Sequence, residues 1–277
     1  MRLALLQMQG TIDPRENLAR ALAHFERAAG EGAEMAVLPE MFLCPYQPQA
    51  MRACAQTRDG PVLECLRTAA RKNRAWLVAG SLPERVGETL FNTSFVFSPQ
   101  GELVAAHRKL HLFETRLADG TRFREADLFS PGDTATVFDT PFGRIGLCIC
   151  FDVRFPELFR LMAHRGARLV LVPAIFTQAT GAAHWDLLFR LRAADFQLFT
   201  AGIGPAKGTT GAYAPYAHSI CCSPWGDVLC RAGEDECLSL VKLPLEAVEM
   251  YRARLPLLSG RRTDLYGIWD AKTDTVF

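Results

Sequence analysis

Long apolar runs are missing from this sequence, and a spanning membrane protein is the first class that this excludes. No stretch approaches the roughly 20 consecutive apolar residues that a membrane helix needs. The opening Met1-Arg-Leu-Ala-Leu-Leu-Gln-Met-Gln is broken at Gln7 and Gln9, too early for the core of a secretory leader. A soluble, cytoplasmic protein is expected. An excess of one charge is also missing. Lys and Arg number 31 against 30 Asp and Glu, spread along the chain, so no nucleic-acid partner is expected. Neither CxxC nor HExxH spacing occurs, which argues against a zinc site, and no cofactor is expected. No Gly/Ser/Pro-rich linker or charge block divides the 277 residues. One domain over 1–277 is therefore expected, with a C-terminal tail from about 255.

What is present begins with nine cysteines, an odd number at irregular spacing. Adjacent Cys221-Cys222 and the pair Cys148 and Cys150 do not read as a secreted disulfide framework. Each cysteine is first of all a small buried hydrophobe. At most one or two are candidates for chemistry.

Leu3 to Met8 reads as a short buried strand. Pro14 to Gly30 reads as a helix, with Leu18, Ala21, Leu22, Phe25, Ala28 and Ala29 on one face. Asp13 starts it and Gly30 with Gly32 stops it. Met35 to Leu38 is the next strand, ending in Pro39-Glu40, which completes a β-α-β unit. A second unit runs through a strand at Arg144–Cys150, a helix at Pro156–Arg165 and a strand at Leu169–Val172. A helix is expected at Val62–Asn73, with strands near Trp76–Leu82, Asn92–Phe97 and Leu103–Lys109. A helix at His184–Asp195 precedes strands near Leu198–Ile203, His218–Ser223, Val228–Ala232 and Cys237–Leu243, then a short helix at Leu245–Arg254. Two such units with added hairpins predict an α/β fold: two mixed sheets back to back with helices outside, an α-β-β-α sandwich.

Three segments carry the candidate chemistry. In Gly146-Leu-Cys-Ile-Cys150-Phe-Asp-Val-Arg154-Phe-Pro an apolar strand ends abruptly before a helix. A nucleophile at such a turn is exposed at the sheet rim beside backbone N–H donors. Alternation places Cys148 and Cys150 on one face, but only Cys150 at the end. Glu40 ends a strand of the other unit; it reads either as a solvated terminus or as the base that a thiol needs. Lys109, in Arg108-Lys109-Leu110-His111-Leu112-Phe113, reads either as a solvent-facing cation or as a partner for a developing oxyanion. His107, His111, His184 and His218 are rival bases for a Cys-His dyad, but none has a distinctive local motif.

Together these segments resemble the nitrilase superfamily of carbon–nitrogen hydrolases, marked by Glu, Lys and Cys in that chain order. Leu38-Pro-Glu40-Met-Phe, His107-Arg-Lys109-Leu-His-Leu-Phe113 and the Cys150 segment carry the resemblance. Ser130-Pro-Gly-Asp, Pro224-Trp-Gly-Asp and Arg262-Thr-Asp-Leu-Tyr266 extend it along nearly the whole chain. Cys44-Pro-Tyr46 and Thr180-Gly-Ala-Ala-His-Trp185 are similar to the omega-amidase branch. Ala182, where that branch commonly has proline, the stretch from Thr115 to Thr121, and Ala217 before His218 depart from the pattern.

The resemblance implies hydrolysis of a small carboxamide to acid and ammonia through a thioester on Cys150. Glu40 would carry the proton, and Lys109 with the backbone N–H of Phe151 would stabilise the oxyanion. It further implies that Glu125 holds Lys109, and that Tyr46, Phe176 and Thr180 line the pocket. An omega-amidase substrate such as 2-oxoglutaramate or 2-oxosuccinamate carries a carboxylate, for which Arg154 offers a planar cation. A deaminated-glutathione amidase, an N-carbamoyl-amide hydrolase or another aliphatic amidase is the alternative within the superfamily. A catalytically silent scaffold is the alternative outside it. A homodimer, or a higher homo-oligomer, is the expected assembly.

Overall fold

The first strand, Arg2–Gln7, is buried on both sides: Leu3 and Leu5 face one apolar core, and Ala4 and Leu6 face another. Such a strand belongs at the centre of a layered structure. The computed structural model, which describes every residue except 117–119 and 121, builds two principal sheets around it. Part of the divergent 115–121 segment thus lies outside the described residues.

The seven-stranded sheet runs Cys237–Lys242, Arg2–Gln7, Met35–Val37, Trp76–Val78, Thr89–Phe97 and Leu82–Val86, with Leu103–Arg108 also paired to Thr89–Phe97. Its three central strands are parallel and its flanks antiparallel. The six-stranded sheet runs Val228–Arg231, Ile220–Cys222, Phe199–Ile203, Ala167–Pro173, Arg144–Leu147 and Thr136–Phe138, again with a parallel centre. Leu3, Val37 and Val78 of one sheet meet Leu147, Leu171 and Ala201 of the other in a shared core. Helices Pro14–Gly30 and Pro61–Asn73 cover the far side of the first sheet with Phe25, Leu63 and Leu66. Helices Pro156–His164 and Gln178–Phe196 cover the second with Phe159, Trp185 and Phe189. The architecture is the expected α-β-β-α sandwich.

Local departures have physical reasons. The expected Trp76–Leu82 strand is two strands, because Gly80 turns into the left-handed region at φ +46°. A Cβ there would stand 1.9 Å from the Pro39 carbonyl oxygen, so only glycine admits this approach. The helix expected from His184 begins at Gln178, where the Thr177 hydroxyl caps the Thr180 N–H at 3.2 Å. Gly181-Ala-Ala offers no large apolar residue to reveal that first turn. The strand expected to reach Cys150 stops at Leu147. Cys150 opens a 3-10 turn, Cys150–Arg154, with φ +48°, so strand alternation does not set its direction.

No helix among the described residues is long and apolar enough to cross a membrane.

Candidate active site

Glu40 leaves the first sheet just past Met35–Val37, at the turn moulded by Gly80 and Ser81. The Ser81 hydroxyl accepts the Met41 N–H at 3.0 Å, and the Ser81 N–H donates to the Pro39 carbonyl at 3.3 Å. Lys109 follows the last residue of Leu103–Arg108, where its N–H donates to the Asn92 carbonyl. Glu125 opens a short 3-10 turn after the strand Arg122–Arg124. Cys150 comes from the second sheet. All four side chains are buried, and three of them would be charged in water. Burial without partners would cost several kcal/mol per ion.

The partners are there. The Lys109 ammonium lies 2.9 Å from Glu40 Oε1 and 2.9 Å from Glu125 Oε2. Asn92 Nδ2 donates to Glu40 Oε1 at 2.9 Å, and the Ile175 N–H donates to Glu40 Oε2 at 2.8 Å. Glu125 accepts from the Phe113 N–H at 2.6 Å and from the Tyr46 hydroxyl. The Cys150 thiol donates to the Ile175 carbonyl at 3.6 Å, an oxygen that also receives the Tyr213 hydroxyl at 3.1 Å.

Two carboxylates against one ammonium leave the cluster short of positive charge. Burial raises the Glu40 carboxyl above its ordinary value; Lys109 opposes the rise and Glu125 reinforces it. Burial works against the charge on Lys109, but Glu125 and Glu40 together hold it well above the usual lysine value. Burial and the Glu40 carboxylate push the Cys150 thiol well up, against the pull of Lys109. At rest the sulfur therefore keeps its proton beside a carboxylate of heightened basicity. In addition, Cys150 and Phe151 open a 3-10 turn, where the first N–H groups have no partner within the turn.

The structure thus brings together Glu40, Lys109, Glu125, Cys150 and Tyr46. Arg154, on the same turn as Cys150, is half-buried, with its guanidinium 5.1 Å from the Phe176 ring centroid and 5.9 Å from that of Phe151. Arg154 Nη1 lies 3.3 Å from His184 Nδ1. Phe176 is buried edge-on against Trp185 at 5.0 Å. Thr180 sits apart from the cluster's hydrogen bonds, its hydroxyl 2.9 Å from that of Thr177 within the helix cap. Sequence reasoning missed Asn92, Ile175, Phe113 and Tyr213. Asn92 sits in a strand where Thr89, Thr93 and Ser94 are polar too, so neither it nor the backbone donors of Phe113 and Ile175 carried a distinct signal. Among the described residues, no group of three or more His, Cys, Asp or Glu is arranged to hold a metal ion.

Comparison with known proteins follows the same lines. The model of the carbon–nitrogen hydrolase family matches residues 2–253. Omega-amidase NIT2 of Danio rerio is 38% identical over 267 residues, 96% of this chain and 96% of that protein. Omega-amidase NIT2 of Homo sapiens is likewise 38% identical over 267 residues, 96% and 97% of the two chains. The crystal structure of Saccharomyces cerevisiae Nit3, described as a member of branch 10 of the nitrilase superfamily, superposes with a TM-score of 0.86 at 35% identity. That match covers 95% of this chain and 96% of the other. An amidase from Nesterenkonia sp. superposes with a TM-score of 0.77 at 27% identity, covering 96% and 94%. With a buried thiol, lysine and carboxylates gathered on this sandwich, and matched over residues 2–253, the chain belongs to the carbon–nitrogen hydrolase family of amide-cleaving enzymes.

Proposed function

We propose that the chain hydrolyses the terminal amide of a small keto-dicarboxylic acid, such as 2-oxoglutaramate or 2-oxosuccinamate, through a thioester on Cys150. The observation that carries this reading is the buried Lys109 held between Glu40 and Glu125 next to the Cys150 thiol. Glu40 takes the thiol proton and the sulfur attacks the amide carbon. The oxyanion that forms is received by the Lys109 ammonium and the Phe151 N–H. Glu40 passes its proton to the departing nitrogen, the C–N bond breaks, and ammonia leaves the acyl group on sulfur. Water then gives a proton to Glu40 and attacks the thioester; the C–S bond breaks, the acid leaves, and the departing sulfur takes that proton back from Glu40. A raised Glu40 pKa suits this alternation, since one carboxyl must serve as base and as acid.

Support for the substrate class comes from Arg154. Among the described residues no carboxylate pairs with its guanidinium, which is held by Phe176, Phe151 and His184 close to the nucleophile. A substrate carboxylate would complete it. The names of the omega-amidase relatives agree. In one Nesterenkonia amidase structure, acrylamide has undergone Michael addition at the active-site cysteine, which supports a cysteine nucleophile here. Ammonia release from 2-oxoglutaramate by the purified protein is the test. Turnover no greater than that of Cys150→Ala would end the reading, and a panel of N-carbamoyl compounds and other aliphatic amides would then identify the alternative.

We further propose a cytoplasmic homodimer. Leu187, Leu191, Trp225 and Met250, all exposed, supply apolar surface for a second copy. Light scattering on the purified protein should give twice the chain mass.

A further inference from the structure

The two groups proposed to meet the oxyanion come from different sheets: Lys109 follows a strand of the first, and the Cys150 turn leaves the second. Something must hold them in register, because an error of about 1 Å at a reacting centre can cost 100-fold in rate. We propose that Asp152 is the positioning residue that does so. This inference rests on the roles given above to Lys109 and Cys150.

Asp152 lies two residues after the nucleophile and is fully buried. One carboxylate oxygen, Oδ2, accepts the Ile149 N–H at 3.0 Å and lies 3.1 Å from His107 Nε2. The other, Oδ1, accepts the His111 N–H at 2.9 Å and lies 2.7 Å from His111 Nδ1. The first contact shapes the Cys150 turn itself. The other three seize the lysine segment two residues before Lys109 and two residues after it. The carboxylate therefore brackets Lys109 and fastens that bracket to the turn that bears the sulfur. Each histidine is itself held. His107 Nδ1 lies 2.9 Å from the Thr136 hydroxyl, on a strand of the second sheet, and His111 stacks on Phe155 with ring centroids 3.6 Å apart. Burial opposes ionisation of Asp152, but the two histidines and the Ile149 N–H hold its carboxyl well below the usual carboxylate range. The clamp is thus an anion with its acceptors occupied from both sheets, and it touches no reacting atom.

A positioning role separates two reactions of the same sulfur. Amide hydrolysis builds an oxyanion that Lys109 must meet. Alkylation by iodoacetamide also needs Glu40 to take the thiol proton, but the C–S bond then forms and iodide leaves with no oxyanion, so it does not require Lys109 to meet one. In Asp152→Asn, kcat for the amide should fall about 100-fold with KM within about threefold of the parent, while the alkylation rate of Cys150, followed by mass of its peptide, stays within about threefold. His111, only partly buried, supplies a second pair of variants: Asn can place a donor where Nδ1 stands, and Ala cannot. His111→Asn should retain kcat within about threefold, and His111→Ala should lose about tenfold. Full kcat in Asp152→Asn overturns the clamp, as do equal losses of hydrolysis and alkylation. Should Asp152→Asn not fold, equal kcat in the two His111 variants overturns it. Turnover surviving in Cys150→Ala would instead sink the reading of the site itself, which a failure of the clamp leaves standing.

Discussion

A lysine without solvent contact keeps its charge only through fixed anions, and Lys109 has two of them. Replacing it by methionine keeps the volume and leaves Glu40 and Glu125 facing each other without a cation. One of them must then take up a proton, or the fold bears the repulsion. The expected cost is about 3–5 kcal/mol at neutral pH, with turnover abolished. The sign of its pH dependence is set by Glu40, whose folded-state value is already raised by burial and rises further once the cation is gone. Stability relative to the parent is then lost as pH rises through that raised value and is recovered in acid. Thermal unfolding of Lys109→Met and parent at pH 5 and pH 8 checks this; a deficit that is larger at pH 5 would contradict it.

At the scale of elements, the site depends on turns rather than on strands. Gly80 lets the Ala79–Ser81 bend press against Pro39, and Glu40 is the next residue. Gly80→Ala should displace the carboxylate and lower kcat by about tenfold or more, with a parallel slowing of Cys150 alkylation by iodoacetamide, since Glu40 takes the thiol proton. Unchanged kcat would show that Glu40 is placed by other contacts. The same scale explains what could be read beforehand. Helix Pro14–Gly30 was legible to the residue because an Asp-Pro start and a clean apolar face agree. The central strands were legible because both of their faces are apolar. Ends and turns were not: the Asp152 carboxylate of the Cys150 turn is held by His107 and His111, and the bend at Gly80 meets Pro39, so both depend on segments distant in sequence. Glu40, Lys109 and Cys150 could be singled out as strand-end polar groups, whereas their burial and their distances could not. Asn92, beside Thr93 and Ser94, was not set apart by its polarity. Nor were the Ile175 and Phe113 N–H groups set apart, since every residue but proline carries one.

For the molecule as a whole, the layer between the two sheets is the common foundation. Leu171, fully buried there, contacts the first sheet, and its carbonyl accepts the Cys148 N–H at 3.1 Å. Leu171→Ala should lower stability by about 2–5 kcal/mol in urea unfolding. It should also depress kcat, although the side chain lies outside the site. A variant with the stability loss but the parental kcat would show that the spacing of the sheets tolerates a cavity without moving the reactive groups.

Neither sheet owns a complete set of the groups proposed to react. Glu40 and Lys109 ride on one slab and Cys150 on the other, so on that proposal turnover reports the docking of two halves and not the integrity of either. In mild urea, loss of ammonia production should run ahead of any loss of ellipticity, because a slight parting of the slabs silences the sulfur while every helix and strand is still intact.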